Sequence, residues 1–413
     1  MKRLQAFKFE LMPSGGQQQD MRRFAGARRF VFNRALDIQK ANYAAGGKFI
    51  GYVDMANRLP EWKKEFEWLK ESPFHTLQQS LKDAERAFKN FFEKRAGFPR
   101  FKKKGSGDSF RFPDSKQFAI DQANSRIKLP KLGWIRFRNS RDILGAAKNI
   151  SISQAGGKWL ASIQTERELG QPVPTATSAI GIDVGVARFA TMSDGSFVDP
   201  LDSFRRHEQR LKKYQRRMSR KVKFSKNWNK AKRKVQKVHT RIANARKDFL
   251  HKKTSELSKN HAMVAIEDLQ VGNMSKSSKG TADAPGKNVA AKSGLNKAIL
   301  DQGWFEFRRQ LQYKLDWNGG ILIAVPAHHT SQTCPACGHI AQESRQTQAR
   351  FACVDCGYQN HADVVGAMNV LARGHRVAAC GEDGSGLARK RRTKPASVKH
   401  EPTEVTMREA AHV

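Results

Sequence analysis

The stretch Ala179-Ile-Gly-Ile-Asp-Val-Gly185 decides the fold of the second half of this chain. Its apolar residues predict a buried strand that carries one carboxylate, Asp183. A second apolar run, Ala262 to Ile266, is followed directly by Glu267 and Asp268. A carboxylate in or at the end of a central strand is costly to bury unless a cation meets it. The two runs therefore predict neighbouring strands whose acidic residues bind a cation.

The group of acidic residues includes a third candidate, and the choice between two adjacent residues stays open. Adjacent strand residues face opposite sides of a sheet, so only one of Glu267 and Asp268 can point with Asp183, and periodicity does not choose between them. Asp363 opens a predicted final helix over residues 363–372, where it is either an N-cap or a metal ligand. Clustered carboxylates suit Mg²⁺ or Mn²⁺, and two such ions about 4 Å apart favour phosphodiester cleavage.

Two Cys-x-x-Cys pairs form the sharpest motif. Cys334 and Cys337 are separated from Cys353 and Cys356 by fifteen residues, and each pair is followed by glycine. Four thiolates at this spacing suit a structural zinc ion with no open position for water, and two unrelated redox pairs are the alternative. Cys380 lies outside the pattern and is predicted to be an ordinary thiol.

Composition limits the classes of function. The 413 residues include 76 Lys plus Arg and 38 Asp plus Glu, a formal charge of +38. Self-repulsion of that size opposes compactness unless a polyanion neutralises it, and we expect nucleic acid rather than a membrane surface. No run of about 18 apolar residues occurs, and five cysteines do not form a disulfide framework. We therefore expect no membrane partner and a cytoplasmic protein, associated with the nucleoid when it binds DNA.

Hydrophobic periodicity divides the first half of the chain. Residues 1–16 predict a strand that ends in a turn, and residues 17–96 predict three or four helices. Short strands are predicted over residues 97–171, and the first strand is expected to join their sheet. This pattern indicates a β-rich module, residues 1–16 and 97–171, interrupted by a helical module, residues 17–96. A Pro/Thr/Ala linker, residues 172–178, follows.

The second half contains a strongly basic segment. Residues 201–260 include 22 Lys plus Arg against four Asp plus Glu, at a composition that favours helices. A Ser/Lys/Gly/Ala-rich stretch predicts a mobile loop over residues 271–297, followed by a helix over 304–317 and a strand over 321–325. Residues 381–413 predict a disordered basic tail.

Candidate nucleic-acid contacts lie in two basic regions, and a solvated charged surface is the alternative for each. The helical region also contains Tyr214, Phe224 and Trp228, which either stack on bases or pack between helices. The predicted contacts are Arg100, Lys102, Lys103, Lys104, Arg216, Arg217, Arg220, Lys221, Lys232 and Arg233.

Six stretches together resemble the TnpB (OrfB) family of insertion-sequence proteins, in the family's order over about residues 1–375. They are Arg28-Arg-Phe-Val-Phe-Asn-Arg-Ala-Leu36, Gly97-Phe-Pro-Arg-Phe-Lys-Lys-Lys104, Gly181-Ile-Asp-Val-Gly185, Ile266-Glu-Asp-Leu269, Thr330-Ser-Gln-Thr-Cys-Pro-Ala-Cys-Gly338 and Asn360-His-Ala-Asp-Val-Val-Gly-Ala-Met-Asn369.

This resemblance implies an RNA-guided DNA endonuclease related to the ancestors of type V CRISPR effectors. It implies an α/β multidomain fold in which a β-barrel-like module with an inserted helical bundle precedes an RNase H-like (RuvC) nuclease domain, residues 179–328 and 358–375. A zinc ribbon, residues 329–357, interrupts that domain. The resemblance also implies that the β-rich module is a wedge-like nucleic-acid-binding module and that the helical module is a recognition module. By the same resemblance, Asp183, Glu267 rather than Asp268, and Asp363 are the metal ligands. The implied partners are a noncoding guide RNA from the transposon end and double-stranded target DNA beside a short motif.

Three other functions remain open at this point. A repressor of the same fold would bind RNA and DNA without cutting, although all three acidic positions are present here. A transposase would join DNA strands with the same metal chemistry, because RNase H-like folds also host that reaction. A zinc-ribbon module would bind nucleic acid without any enzymatic activity.

Overall fold

The computed structural model describes residues 1–379, so Cys380 and the tail predicted over residues 381–413 lie outside the described residues. This part of the chain forms a mixed α/β structure with two principal sheets, a small two-stranded sheet and ten α-helices. None of these helices is long and apolar enough to cross a membrane. The α/β multidomain class predicted from the sequence is therefore confirmed.

Seven antiparallel strands form the first sheet: β1 Lys2–Met12, β2 Ser109–Phe112, β3 Ala119–Asp121, β4 Arg126–Leu129, β5 Gly133–Phe137, β6 Ala146–Ala155 and β7 Lys158–Glu168. Their order is β2-β6-β7-β1-β5-β4-β3. The N-terminal strand joins this sheet, as predicted, by pairing with β7 over ten residues and with the end of β5. Within the described residues, β2 and β3 pair on one side only. These residues therefore form no closed barrel, because closure requires partners on both sides of every strand, and the barrel-like module is not confirmed.

The first helix, α1 Gly15–Ala44, connects this sheet to a helical core. A capping box fixes its start: the Ser14 hydroxyl accepts the N–H of Gln17, and the Gln17 side chain accepts the N–H of Ser14. Met21 and Phe24 in its first half pack into the core of the sheet. Its second half belongs to a separate core shared with α2 Tyr52–Asn57, α3 Leu59–Glu65, a 3-10 helix Glu67–Glu71 and α4 Phe74–Phe92.

Five strands form the second sheet: β8 Ala179–Asp183, β9 Ala190–Met192, β10 Phe197–Val198, β11 Met263–Glu267 and β12 Ile321–Val325. Their order is β10-β9-β8-β11-β12, with β8, β11 and β12 parallel. The strands β9 and β10 are each antiparallel to the strand before them, and a turn at Asp194-Gly195 joins them. The carboxyl ends of β8 and β11 therefore lie side by side.

Helices cover both faces of the second sheet. They are α6 Lys226–Asn260, α7 Val271–Met274, α8 Val289–Gln302, α9 Trp304–Asn318 and α10 Ala362–Ala379. The helix α5 Ser203–Ser219 packs against α6 instead. Ile182 and Ile266 point into a core shared with α6, α8 and α9. Ala265, one position earlier on β11, lies instead in the core formed with Val370 of α10. The two faces alternate along each strand because successive strand residues point in opposite directions.

The segment 271–297, predicted as a mobile loop, contains helix at both ends. Its first residues form α7, and its last residues begin α8. Lys292 Nζ donates to the carbonyl of Met274 at 2.7 Å and links the two helices. The loop prediction was wrong at the two ends of the segment. The high Gly and Ser content indicated a loop, although Ala290, Ala291 and Leu295 are strong helix formers.

A small module lies between β12 and α10. Its two antiparallel strands are β13 Arg350–Ala352 and β14 Gln359–His361. Phe351 packs with Cys334 and Cys353, and also with Ala362 and Val365 at the start of α10. Since β14 continues directly into α10, this module and that helix form one packed unit.

Candidate functional site

Asp183 and Glu267 end two adjacent parallel strands. Ile182 is the register partner of Ile266, so the residues that follow them are neighbours across the strand pair. Glu267 lies two positions after Ala265, and Asp183 is the neighbour of Glu267 on β8. Both carboxylates therefore point to the same face of the sheet as Ala265, which faces α10. Both side chains are half-buried. The parallel pairing thus brings together two acidic residues that are 84 positions apart in the sequence.

Glycine at position 181 lets α10 lie close to β8. A Cβ atom at Gly181 would lie only 2.2 Å from the carbonyl oxygen of Ala367, closer than any side chain tolerates. On the same helix, a Cβ atom at Gly366 would lie 3.1 Å from Asp183 Oδ2. The helix begins at Ala362, so Asp363 lies in its first turn rather than at the N-cap. This close packing brings Asp363 towards the carboxylates on the strands.

Asp268 lies on the other side of the sheet. Its carboxylate forms an ion pair with Arg308 of α9. Glu267 instead accepts a hydrogen bond from Thr330 Oγ1 at 2.7 Å, on the side where Asp183 lies. The two adjacent acidic residues therefore have different surroundings, which periodicity alone could not distinguish.

Burial raises the pKa values of both carboxyls on the strands, and repulsion from neighbouring carboxylates adds to the shift at Asp183. Burial, followed by the charges of Glu267 and Asp363, raises the pKa of Asp183 to about 7. Burial also raises the pKa of Glu267, against the opposing hydrogen bond from Thr330. The raised pKa values indicate that the surrounding positive charge does not compensate for the burial of the ionised carboxylates. Its donor chemistry fits hard divalent cations such as Mg²⁺ or Mn²⁺.

Arg345 is a basic residue of this site that the sequence analysis missed. Its side chain is half-buried, and Nη2 lies 3.4 Å from Asp363 Oδ1. Its positive charge opposes the upward pKa shifts of both Asp183 and Glu267. Arg345 comes from the small module between β12 and α10, where no periodic pattern marked it. The carboxylate site is therefore built from the sheet, the last helix and this inserted module.

Thr330 links the carboxylate site to the base of the same module. Its hydroxyl donates to Glu267, while Asn369 Nδ2 donates to the backbone oxygens of Thr330 at 2.8 Å and Thr333 at 2.7 Å. Thr330 and Asn369 are both buried. This chain of contacts fixes the Glu267 side chain from α10. Both residues fall within the motifs quoted above, but their contact is visible only in the folded chain.

The four cysteines form a compact cluster. Cys334 Sγ lies 3.6 Å from Cys356 Sγ, and the same distance separates the sulfurs of Cys337 and Cys353. All four sulfurs lie within 4.8 Å of one another, which among the described residues makes this the one group meeting that limit. Four thiolates bound tetrahedrally to zinc at about 2.3 Å lie roughly 3.8 Å apart. The donor set and its spacing therefore fit a structural zinc ion, as predicted.

The turns that hold the sulfurs depend on the glycine that follows each cysteine pair. Gly338 and Gly357 have φ values of 78° and 72°, a conformation that favours glycine. Their N–H groups donate to the carbonyls of Cys334 and Cys353. Each Cys-x-x-Cys pair is thus closed by its own backbone, independently of the rest of the fold.

Comparison with known proteins gives family matches over the regions that contain the carboxylates and the cysteines. Residues 162–278 match the OrfB_IS605 family, described as "Probable transposase", and residues 304–370 match "Cas12f1-like, TNB domain". Residues 1–48 match a "Helix-turn-helix domain" of the same group, although here they form β1 and α1.

Two relatives match nearly the whole chain. One, named "Putative RNA-guided DNA endonuclease InsQ", is from Escherichia coli K12 and is 59% identical over 92% of this chain and 95% of its own length. A Streptomyces pristinaespiralis protein, named "Putative RNA-guided DNA endonuclease", is 34% identical over 97% of both chains. The chain belongs to the TnpB (OrfB) family. Among solved structures, a Cas12f1-sgRNA-target DNA complex has a TM-score of 0.49 at 13% identity, covering 89% of this chain and 98% of that one.

The predicted basic contacts of this TnpB-family chain fall into different environments. Lys102 is half-buried, with Nζ 3.7 Å from the centre of the Phe32 ring, and burial lowers its pKa to about 8. It therefore packs against the helical core, unlike its exposed neighbours Arg100, Lys103 and Lys104. Arg216 and Arg217 of α5 lie beside Arg220, which follows the end of this helix, and Lys221 comes next on the connection to α6.

A large basic groove lies between the two halves of the chain. Its volume is about 1910 Å³, and its walls come from α1, the 104–108 loop, the β6–β7 turn and the first half of α6. Three of the predicted contacts line it, and so do arginines of α1 that the sequence analysis did not single out. The lining cations are Arg22, Arg23, Arg29, Lys104, Lys226, Lys230, Lys232 and Arg233.

Proposed function

We propose that this protein is an RNA-guided DNA endonuclease of an insertion sequence, which cleaves target DNA beside a short motif by magnesium-dependent phosphodiester hydrolysis. The observation that carries the proposal is the approach of Asp183, Glu267 and Asp363 at the carboxyl ends of β8 and β11, where burial and repulsion raise the pKa of Asp183 to about 7. Such an electrostatic arrangement is unfavourable without cations, and perturbed carboxyls of this kind are typical of functional sites.

The strand order supports an RNase H-like (RuvC) domain. We assign it to residues 179–328 and 358–375, with a zinc ribbon over residues 329–357 and the basic helices of 201–260 as part of it. In support, three parallel strands lie beside two antiparallel ones in the order β10-β9-β8-β11-β12. The β-rich module, 1–16 and 97–171, and the helical module, 17–96, are assigned to nucleic-acid recognition. Each of these two modules has its own hydrophobic core.

The side chains of the proposed site have separate tasks. Asp183, Glu267 and Asp363 would hold the metal, and Thr330 would orient Glu267 through its 2.7 Å hydrogen bond. When bound, magnesium would supply an activated water and neutralise the leaving oxygen. Arg345 lies at the edge of the site and offers a guanidinium group to a phosphate of the substrate. The zinc ribbon would hold Arg345 and Thr330 in place beside the carboxylates.

The proposed partners follow from charge and from the relatives. Two relatives that match almost the whole chain are named as RNA-guided DNA endonucleases. A formal charge of +38 and a groove lined by eight cations favour binding of nucleic-acid backbones. We therefore propose a noncoding RNA from the transposon end as the guide, and double-stranded DNA as the target.

The decisive experiment begins with expression of the protein together with its flanking transposon-end DNA. RNA that co-purifies with the protein is sequenced, and its guide segment is used to design a matched DNA target. We expect one discrete RNA that runs past the end of the element, and DNA breaks whose position follows the guide. Cleavage should require Mg²⁺ and should disappear in the Asp183→Ala protein, which still binds the RNA.

Other outcomes would favour other functions. Joined DNA products would indicate a strand-transferring transposase, and guided binding without breaks would indicate a repressor. Heterogeneous cellular RNA with no guided cleavage would contradict the proposal. Each outcome is read from the DNA and RNA products themselves, so they can be distinguished in one preparation.

A further inference from the structure

An exposed aromatic residue occupies the connection between the two basic helices. Phe224 lies between α5 and α6 with 72% of its surface exposed, and it belongs to none of the hydrophobic cores of the described residues. Tyr214, by contrast, packs against the core of the α5–α6 pair. Of the aromatic residues that the sequence places among these basic helices, Phe224 therefore has the least packing to explain it.

The turn around Phe224 is held firmly by its neighbours. Phe224 has a φ of 70°, which a bulky side chain rarely adopts, so the surrounding contacts must maintain it. Asn229 Nδ2 donates to the Phe224 carbonyl at 3.0 Å, and Ser225 Oγ accepts the N–H of Trp228 at 3.1 Å as the N-cap of α6. The ring of Phe224 is therefore presented on a pre-organised turn.

Trp228 extends the aromatic surface by one turn of α6. Its ring centre lies 5.5 Å from that of Phe224, with the planes tilted by 58°. Lys223 Nζ lies 5.4 Å from the Phe224 ring, and Lys232 Nζ lies 5.1 Å from the Trp228 ring. We call Phe224 and Trp228 the aromatic step. It combines two π surfaces with two adjacent ammonium groups.

The aromatic step lines the large basic groove, where the charges select a polyanion. Eight cations line this groove, against Glu71 and Asp108 as acidic lining residues. Both acids are already paired, Glu71 with Arg23 at 3.3 Å and Asp108 with Arg29 at 3.0 Å. An apolar peptide would not need such a surface, whereas a nucleic-acid strand carries both phosphates and flat bases.

We propose that the aromatic step stacks on an unpaired base of a nucleic-acid strand bound in the groove. The cations would neutralise the backbone phosphates, and the two rings would receive the base at the point where a duplex ends or a strand separates. This inference rests on the proposed function, because it assumes that the groove holds nucleic acid. It adds a specific element: recognition of a single-stranded base beside a duplex.

The test uses binding of two synthetic RNA–DNA hybrids to the full-length chain, washed free of cellular RNA at high salt. One hybrid is blunt, and the other carries a three-nucleotide overhang. Since stacking of one base on an aromatic side chain changes affinity by roughly fivefold to a hundredfold, the wild-type protein should prefer the overhang by that factor. Phe224→Leu should lose this preference while binding the blunt hybrid as before.

Two control variants show whether the effect belongs to the ring. Phe224→Tyr keeps an aromatic surface and should retain the preference for the overhang. Val222→Ala alters a residue of the same connection that is 81% exposed and outside the groove lining, and it should change neither affinity. Loss of the preference in Val222→Ala would overturn the proposal, because the turn rather than the ring would then be responsible.

The two hypotheses fail in different ways. If the wild-type protein binds both hybrids with equal affinity, the proposal that the aromatic step stacks on a base is overturned, and the proposed function stands. An equal loss for both hybrids in Phe224→Leu would also overturn it, since an unpaired base would not be involved. If the wild-type protein binds neither hybrid, both the stacking proposal and the proposed function are contradicted.

Discussion

The cysteine cluster and the carboxylate cluster are assembled in opposite ways. The outermost cysteines are 22 positions apart in the sequence, and one glycine turn closes each pair locally. The carboxylates come from positions 183, 267 and 363, and they meet only through strand pairing and the packing of α10. The four sulfurs lie within 4.8 Å of one another, whereas the three carboxylates are not among the groups of described residues that meet this limit.

This difference indicates different tasks for the two sites. A closed set of four thiolates leaves no position for a reacting molecule, so its metal contributes to folding. A more open set of carboxylates, in which Asp183 and Glu267 have raised pKa values, would leave room for a phosphate and water beside a bound cation. Variants at the two sites test whether one serves stability and the other serves chemistry.

The largest expected effect is on cleavage by the carboxylate site. Asp183→Ala should lower guided DNA cleavage at least about a thousandfold, because loss of a metal ligand removes several kcal/mol of transition-state stabilisation. RNA binding should change little, since the basic surfaces remain. Cleavage rates and RNA affinities are measured on the same preparations. Asp268→Asn is the matched control, because this carboxylate pairs with Arg308 on the opposite side of the sheet. Equal losses in the two variants would contradict the assignment.

The cysteine cluster should respond through stability. Cys334→Ser should remove bound zinc and lower the unfolding temperature, because a structural zinc site contributes several kcal/mol to folding. Metal content by mass spectrometry and thermal unfolding measure the two effects. Cys380→Ser should keep the zinc and the unfolding temperature, since Cys380 is predicted to be an ordinary thiol. A Cys334→Ser protein with unchanged zinc would refute this site.

The hydrogen bond that joins the two regions should have an intermediate effect. Thr330→Val removes the hydroxyl that orients Glu267 while keeping the side-chain shape, and it should lower cleavage by about tenfold to a hundredfold. The Mg²⁺ concentration that gives half-maximal cleavage should rise, whereas zinc content should stay the same. Thr330→Ser restores the donor and should recover most of the activity. If Val and Ser behave alike, the hydrogen bond does not position Glu267.

The smallest expected effect is a pH dependence of the metal-free protein. Because the pKa of Asp183 is raised to about 7, the folded chain holds this proton more tightly than the unfolded chain does. The associated stability is present below the unfolded value of about 4 and is lost as the pH rises through about 7. Without Mg²⁺, the unfolding temperature should therefore fall by a few degrees between about pH 5 and pH 8.

Two controls sharpen this last measurement. Asp183→Asn has no proton to lose and should flatten the decline. Added Mg²⁺ should also reduce it at high pH, because a bound cation favours the ionised carboxylates. An identical decline in the Asn variant would exclude Asp183 as its origin.

Much of the fold followed from patterns that are local in the chain. The first strand, the strand around Asp183, the run before Glu267 and the helix after residue 303 all lie where periodicity predicts them. The failures have local causes as well. Ser and Gly obscured the start of α8, and the strand pattern did not reveal that the first sheet stays open.

The sequence by itself determined the cysteine motif, the acidic positions and the excess of positive charge, because spacing and composition are properties of the chain. Only the tertiary structure decided which carboxylates lie together, since strand register and the close approach of α10 at Gly181 join residues far apart in the sequence. It also brought Arg345 and Thr330 to the site and left Phe224 exposed in the groove. Such contacts depend on how elements pack in three dimensions, which no local pattern specifies.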